Sequence, residues 1–535
     1  MSASLPHRIR RQCWRVKAPS QEAAFALRQQ LHSQWETALL PAFEQAFNAL
    51  GTGDEVVRIP RLELNLKLAP TEDFIGALTN ELRTRLAEVL QEVVVDHPGQ
   101  AGVDRRSAYI TRRQTLLHYL ATGQLEWHAH GADPESVARA LHAEASQFSS
   151  DGQALVASIA GPWPHRIAAA FRFLQLFPAD ARHKLLPLAV FQPPPSLSDT
   201  PPETAAQAMA LIPAILRHFV MANGLSEHLR LRVQAALLAL REEDLIASRE
   251  SQLLALLHEC QQQTAGGTLS IILDAVLHAL THQATLASSP VAGSAVIPGR
   301  TPASAPPHLS RRELGAPPER PVAAASLSPE NSAAPPSNAV TPGSVAFSSS
   351  AAIASPGENM LNERNTGYPA GNAGLALLHP FLSRLFDATG IAPANSCILP
   401  AAALPRAAAM LHWLATGREE IYEFELTTIK VMLGLTPEDV LLTGASLLSE
   451  ADRLEADTLL AAAIAHWGAL GNSGASALRV SFLQRQGLLR DIGTGWQLQL
   501  ESESFDLLLG KLPWGISIVR LPWMTRPIFT EWPMP

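Results

Sequence analysis

The chain has 535 residues, 47% of them hydrophobic and 17% charged, and a formal net charge of −8 at pH 7. That length exceeds what one hydrophobic core organises, so two or three domains are predicted. The negative balance excludes a chain built around phosphate neutralisation, and with it nucleic acid as a main partner.

Cys13, Cys260 and Cys397 are odd in number and far apart, unlike the framework of a disulfide-stapled secreted domain. The opening MSASLPHRIRRQCWRVK has charges where a signal peptide needs its apolar core, and no later segment offers the ~18 uncharged apolar residues of a spanning helix. A cytoplasmic chain without membrane insertion is expected.

His7 to Lys17 mixes polar and apolar side chains without helical period and reads as a strand, after which Pro19 and Ser20 start a helix. In that helix Ala24, Leu27, Leu31, Trp35, Leu39, Phe43, Ala46 and Leu50 recur at spacings of three and four, with Gly51 as a C-cap. Arg61 to Leu68, RLELNLKL, puts four leucines on one face and Arg61, Glu63, Asn65 and Lys67 on the other, the pattern of a half-buried strand. A second helix follows from Thr71, carrying Phe74, Leu78, Leu82 and Leu86 inward. From Arg105 to His282 the periodicity is helical, interrupted by GPWPH, FQPPPS and AGG.

From about Leu286 to Gly367 the composition turns to proline, alanine and serine, with Phe347 its only aromatic residue. Such a stretch buries too little apolar surface to offset its ordering entropy and reads as a long, semi-flexible linker. A local echo crosses it: LLHYLATGQ (Leu116 to Gln124) returns as MLHWLATGR (Met410 to Arg418), predicting two helices that end alike at Gly123 and Gly417. Beyond the linker, Gly374 to Gly390 reads as an amphipathic helix and the helical pattern runs to about Leu489. Trp496 to Leu500 alternates, Phe505 to Leu509 reads as a short helix, and Pro513 to Met524 and PIFTEWP read as strand material of a small sheet or hairpin.

The fold class predicted is therefore mainly α with small β elements at both ends. Residues 1–100 form a β-α-β-α unit, 101–285 a helical array, 286–370 the disordered linker, and 371–535 a helical domain ending in a small β element.

Chemistry has few signals. His278 and His282 of HALTH share a helix face at i and i+4, but Ala279 stands where a zincin has its glutamate, and WHAH (Trp127 to His130) has no partner cluster. No phosphate loop, nucleophile elbow, C-x-x-C pair or dinucleotide fingerprint is present, so no catalytic, cofactor or metal residues are assigned. Glu419, Glu420, Glu423 and Glu425 in REEIYEFEL read as a solvated face. Arg8, Arg10, Arg11 and Arg15 make the first strand basic, suited either to protecting an edge or to contacting an acidic partner. Trp514, Trp523 and Trp532 are either core residues or interface anchors.

HRIRRQCWRV, VVRIPRLELNLKL, TLLHYLATGQLEW and, above all, GLALLHPFLSRLF, ALRVSFLQRQGLL and KLPWGISIVRLPWMTRPIFTEW resemble blocks of the tape measure proteins of extracellular contractile injection systems. The resemblance implies a phage-tail-like particle with a contractile sheath, an inner tube and a baseplate, in which the chain helps set tube length. It implies inner tube and baseplate proteins as partners, no small-molecule substrate, and no catalytic residues. As one continuous helix the chain would reach roughly 800 Å at ~1.5 Å per residue. A baseplate or cargo adaptor, with the linker tethering two binding modules, is the alternative.

Overall fold

A computed structural model of the chain describes residues 33–50, 55–66, 73–96, 103–126, 133–159, 163–186, 205–221, 224–240, 252–263, 273–278 and, with three single or double gaps, 367–532, besides a few isolated positions. Residues 286–366 of the expected linker lie outside the described residues, as do FQPPPS, AGG and Gly51, whereas 367–370 are described and Tyr368–Ala370 is a strand rather than linker. The described part is mainly helical, with strands near the amino terminus and at the carboxy end.

The first unit holds α1 (Leu40–Ala49), preceded by a π-helical turn, β1 (Glu55–Arg58) and α2 (Phe74–Leu90). Asp73 caps α2 by accepting from the Gly76 N–H. Leu78, Leu82, Leu86 and Leu90, one per turn, close on Leu39, Ala42, Phe43 and Ala46 of the preceding helix. The strand expected at Arg61 to Leu68 is corrected to Glu55–Arg58, which pairs antiparallel with β2 (Asp104–Ser107). Leu62, Leu64 and Leu66 do pack on the α1–α2 core, and Arg61, Glu63 and Asn65 do face solvent, but no strand pairs with them. Alternation reports the buried face; a ladder also needs a partner. Of His7 to Lys17, residues 7–9 and 12 are described and belong to no strand.

The second body, the N-lobe, comprises α3 (Ala108–Thr122), α4 (Pro134–Ala145), α5 (Gly152–Ser158), α6 (Trp163–Gln175), α7 (Ala205–Met221), α8 (Glu227–Ala239) and α9 (Gln252–Gln263). Ser107, Asp133 and Ser226 cap α3, α4 and α8 through their side chains. Phe171, Phe173, Phe219, Leu116, Leu120 and Leu257 fill its core.

The C-lobe begins with β3 (Tyr368–Ala370) and a 3₁₀ turn into α10 (His379–Ala388), followed by α11 (Leu404–Thr416), α12 (Thr427–Met432) and α13 (Glu450–His466), the last opened by a Ser449–Asp452 capping box. The helical pattern stops at Leu483, before β4 (Gly487–Asp491), rather than at Leu489. With β5 (Trp496–Leu500), β6 (Ile518–Val519) and β7 (Ile528–Glu531) it forms a five-stranded sheet of order β3-β4-β5-β7-β6, in which β5 and β7 run parallel. Residues 496–500 alternate as read, with Trp496, Leu498 and Leu500 buried.

The two echo helices end alike. Gly123 (φ 74°) and Gly417 (φ 69°) are left-handed C-caps whose N–H groups donate to Tyr119 and Trp413 carbonyls. Thr122 and Thr416 hydroxyls donate four residues back and accept from the N–H groups of Gln124 and Arg418.

Candidate functional site

A helix that ends at a left-handed glycine leaves its last carbonyls without intrahelical donors. At the end of α3 the Leu120 carbonyl accepts from Nη1 of Arg172 at 2.7 Å. At the end of α11 the matching Leu414 carbonyl accepts from Nε of Arg479 at 3.2 Å. The same device is used twice, with different acids: Arg479 pairs with Asp457 inside the C-lobe, whereas Arg172 of the N-lobe pairs with Glu423 of the C-lobe.

Glu423 is the centre of the lobe interface. Its Oε2 accepts from Arg172 Nε at 2.7 Å, and its Oε1 accepts from Lys430 Nζ at 2.7 Å and from the Leu441 N–H at 3.2 Å. All three side chains are buried, Arg172 and Lys430 to 1% exposure. Burial alone would raise the carboxyl's pKa, but Arg172 and Lys430 hold it down at about 2. The carboxylate lies against Gly123, where a Cβ would come within 2.5 Å of Glu423 Cδ. Gly123 therefore serves two purposes, a positive φ and the close approach of a charge from the other lobe.

Neighbouring contacts repeat the pattern of polar side chains meeting backbone. Gln124 Nε2 donates to the Pro437 carbonyl at 2.7 Å, and Gln175 Nε2 donates to the carbonyls of Ile421 and of Thr443, the latter at 3.2 Å. The Phe424 ring enters the N-lobe core and meets Tyr119 edge-on at 5.7 Å. On the C-lobe this side of the interface is built on residues 421–444, on the N-lobe on α3, α6 and α8.

The solvated face expected for REEIYEFEL is corrected for half of its acids. Glu419 and Glu420 are exposed, but Glu423 and Glu425 are 4% and 5% exposed. Burial would raise the Glu425 carboxyl, while His412, 3.4 Å away, and Arg418 lower it. The signal for this was the interleaving of Ile421, Tyr422, Phe424 and Leu426 with the acids, an apolar density a solvated face does not carry.

A cavity of about 70 Å³ opens between the lobes beside Gln175, His228, Tyr422 and Gly444. Its volume suits a few waters rather than a metabolite. Burial, aided by Arg232, pushes the His228 imidazole down to about 3, so it stands neutral against the edge of Phe171. Among the described residues no group of three or more His, Cys, Asp and Glu is placed to hold a metal ion, and no helix is long and apolar enough to cross a membrane. His278 is described, while His282 and the histidines of WHAH lie outside the described residues.

Of the residues singled out for partner contact, Arg10, Arg11 and Arg15 lie outside the described residues, and Arg8 is half-buried. Trp523 stacks on Phe386 at 5.0 Å and donates to the Met432 carbonyl at 2.9 Å. Trp514 donates to the Leu377 carbonyl at 2.9 Å and stacks on His466, and is half-buried. Trp532, also half-buried, lies 5.8 Å under the Arg485 guanidinium. The structure does not bring the arginines and the tryptophans into one described site.

Comparison with curated proteins and with solved structures gave no match. A family model, contractile injection system tape measure protein, matches residues 6–532, across the first unit, both lobes and the segment between them. The chain belongs to the contractile injection system tape measure protein family.

Proposed function

We propose that the chain is a structural ruler that helps set the length of the inner tube in a phage-tail-like contractile particle, docking its folded ends on inner tube and baseplate proteins. The reading rests on the family match, which spans both lobes and the segment between them. The buried charges described above serve structure rather than chemistry: Arg172 and Glu423 hold the two bodies together, and Lys430 holds Glu423 within the C-lobe. Assembly begins in the cytoplasm, and the finished particle is released. Arg8, Arg10, Arg11 and Arg15 at one end, and Trp514, Trp523 and Trp532 at the other, are the partner contacts. No catalysis and no cofactor enter the role.

Particles assembled without the chain provide the test. Tubes that scatter in length, or fail to form, are expected by electron microscopy; uniform tubes of normal length would contradict the ruler. One observation favours the adaptor reading: with the lobes docked, the segment 279–366 starts and ends on one body and adds no reach between them. An adaptor gives normal tubes lacking a component.

A further inference from the structure

The lobe interface has three properties that bear on which copy of the chain supplies each side. Each lobe has its own core: the C-lobe cluster is drawn from residues 368–528, and the N-lobe cluster from residues 116–277 with Phe424 added. The interface is short in sequence on the C-lobe side, residues 421–444, so one compact segment presents the Glu423 carboxylate and the Phe424 ring together. The chain between the lobes, 279–366, would reach on the order of 300 Å when extended, at ~3.3–3.6 Å per residue, so it does not dictate that a lobe dock on its own partner.

We infer that the N-lobe face formed by Gly123, Gln124, Arg172 and Gln175 also receives the 421–444 segment of a second copy, so that copies of the chain exchange lobes. The chemistry of recognition is the same in either case. A carboxylate enters between a glycine C-cap and a buried guanidinium, an aromatic ring enters beside Tyr119, and two glutamine side chains read backbone carbonyls. Exchange of this kind is available wherever two complete bodies are joined by a connection long enough to span copies. Within one chain the connection holds the partner lobe at an effective concentration of roughly millimolar. Dilute chains therefore close on themselves, and exchange takes over when copies are packed together. Closed chains have no reach from the intervening segment; exchanged copies keep every contact of the interface and place that segment between bodies. Only this last consequence rests on the ruler reading, and the docking itself can be tested without any particle.

The test is complementation between two full-length variants. Arg172→Glu spoils the N-lobe face, and Glu423→Gln with Phe424→Ala spoils the C-lobe segment. Each alone should be an expanded monomer in size-exclusion chromatography with light scattering. Their equimolar mixture should give a species of twice the mass, because one intact face and one intact segment now lie on different chains. A mixture that stays monomeric, with each variant folded by circular dichroism, would overturn the inference. Should either variant fail to fold, the wild-type sequence with a protease site introduced within 286–366 supplies the second arm. Cleaved preparations carrying different fluorophores are mixed, and amino-terminal fragments of one eluting with carboxy-terminal fragments of the other are expected. Elution of all fragments separately would overturn it.

Discussion

Arg172 and Glu423 stand 251 positions apart in the chain, yet Nε of one lies 2.7 Å from Oε2 of the other, and neither side chain is more than 3% exposed. Removing one partner of a buried pair leaves the other without compensation, which costs more than the net worth of the pair. Arg172→Met is therefore expected to lower stability by about 3 kcal/mol. It should also enlarge the hydrodynamic radius as the lobes part, measured by denaturant melts and small-angle scattering. Lys430→Met, which breaks a pair internal to the C-lobe, should destabilise that lobe without the same expansion.

Glu423 gives docking a pH dependence of definite sign. Its carboxyl, normally near 4.5, is held down at about 2, so its contribution is present above the ordinary value and is lost as pH falls through the folded one. The melting temperature of the wild type should exceed that of Glu423→Gln by a constant margin from pH 7 to about pH 5. That margin should then shrink toward pH 2. A margin independent of pH over this range would show that the carboxylate is not charged in the docked state.

Gly123 and Gly417 separate two costs that usually occur together. Both have positive φ, so alanine at either should lose about 1–2 kcal/mol to backbone strain. At Gly417 the new Cβ would meet the flexible end of Arg479 at 3.2 Å, whereas at Gly123 it would meet the Glu423 carboxyl carbon at 2.5 Å. Gly123→Ala is thus expected to cost more than Gly417→Ala and to part the lobes, while Gly417→Ala leaves them docked. Thermal melts and scattering on the two variants check both halves of that statement.

The tryptophans should divide by burial. Trp523→Ala removes a ring stacked on Phe386 together with its hydrogen bond to Met432, and should cost about 3–5 kcal/mol with loss of soluble protein. Trp514→Ala, from a half-buried site, should cost about 1–2 kcal/mol and leave a folded chain. Such a chain, if it fails to enter particles, marks Trp514 as a partner contact; normal incorporation would assign it to the lobe alone.

What could be read from the sequence follows the range of the forces involved. The glycine caps at 123 and 417 were legible because a helix period and a left-handed residue are both local. The alternation at 62–66 is legible as a buried face, but the location of the strand is not: Glu55–Arg58 pairs instead, because its partner at 104–107 lies far along the chain and is four residues long. Tyr368–Ala370 joins the C-lobe sheet through pairing with Gly487–Leu489, again a nonlocal fact that three residues cannot announce. Glu423 was misread for a related reason. An acid in a run of acids signals solvent unless its countercharges are known, and one of them, Arg172, is contributed by the other lobe.

Tube length measured by electron microscopy, in particles assembled with the chain shortened stepwise within 286–366, tests the ruler most directly. With copies exchanging lobes, so that the segment lies between bodies, uniform tubes that shorten in step with the deletions are expected. Tubes of unchanged length in normally assembled particles would contradict it.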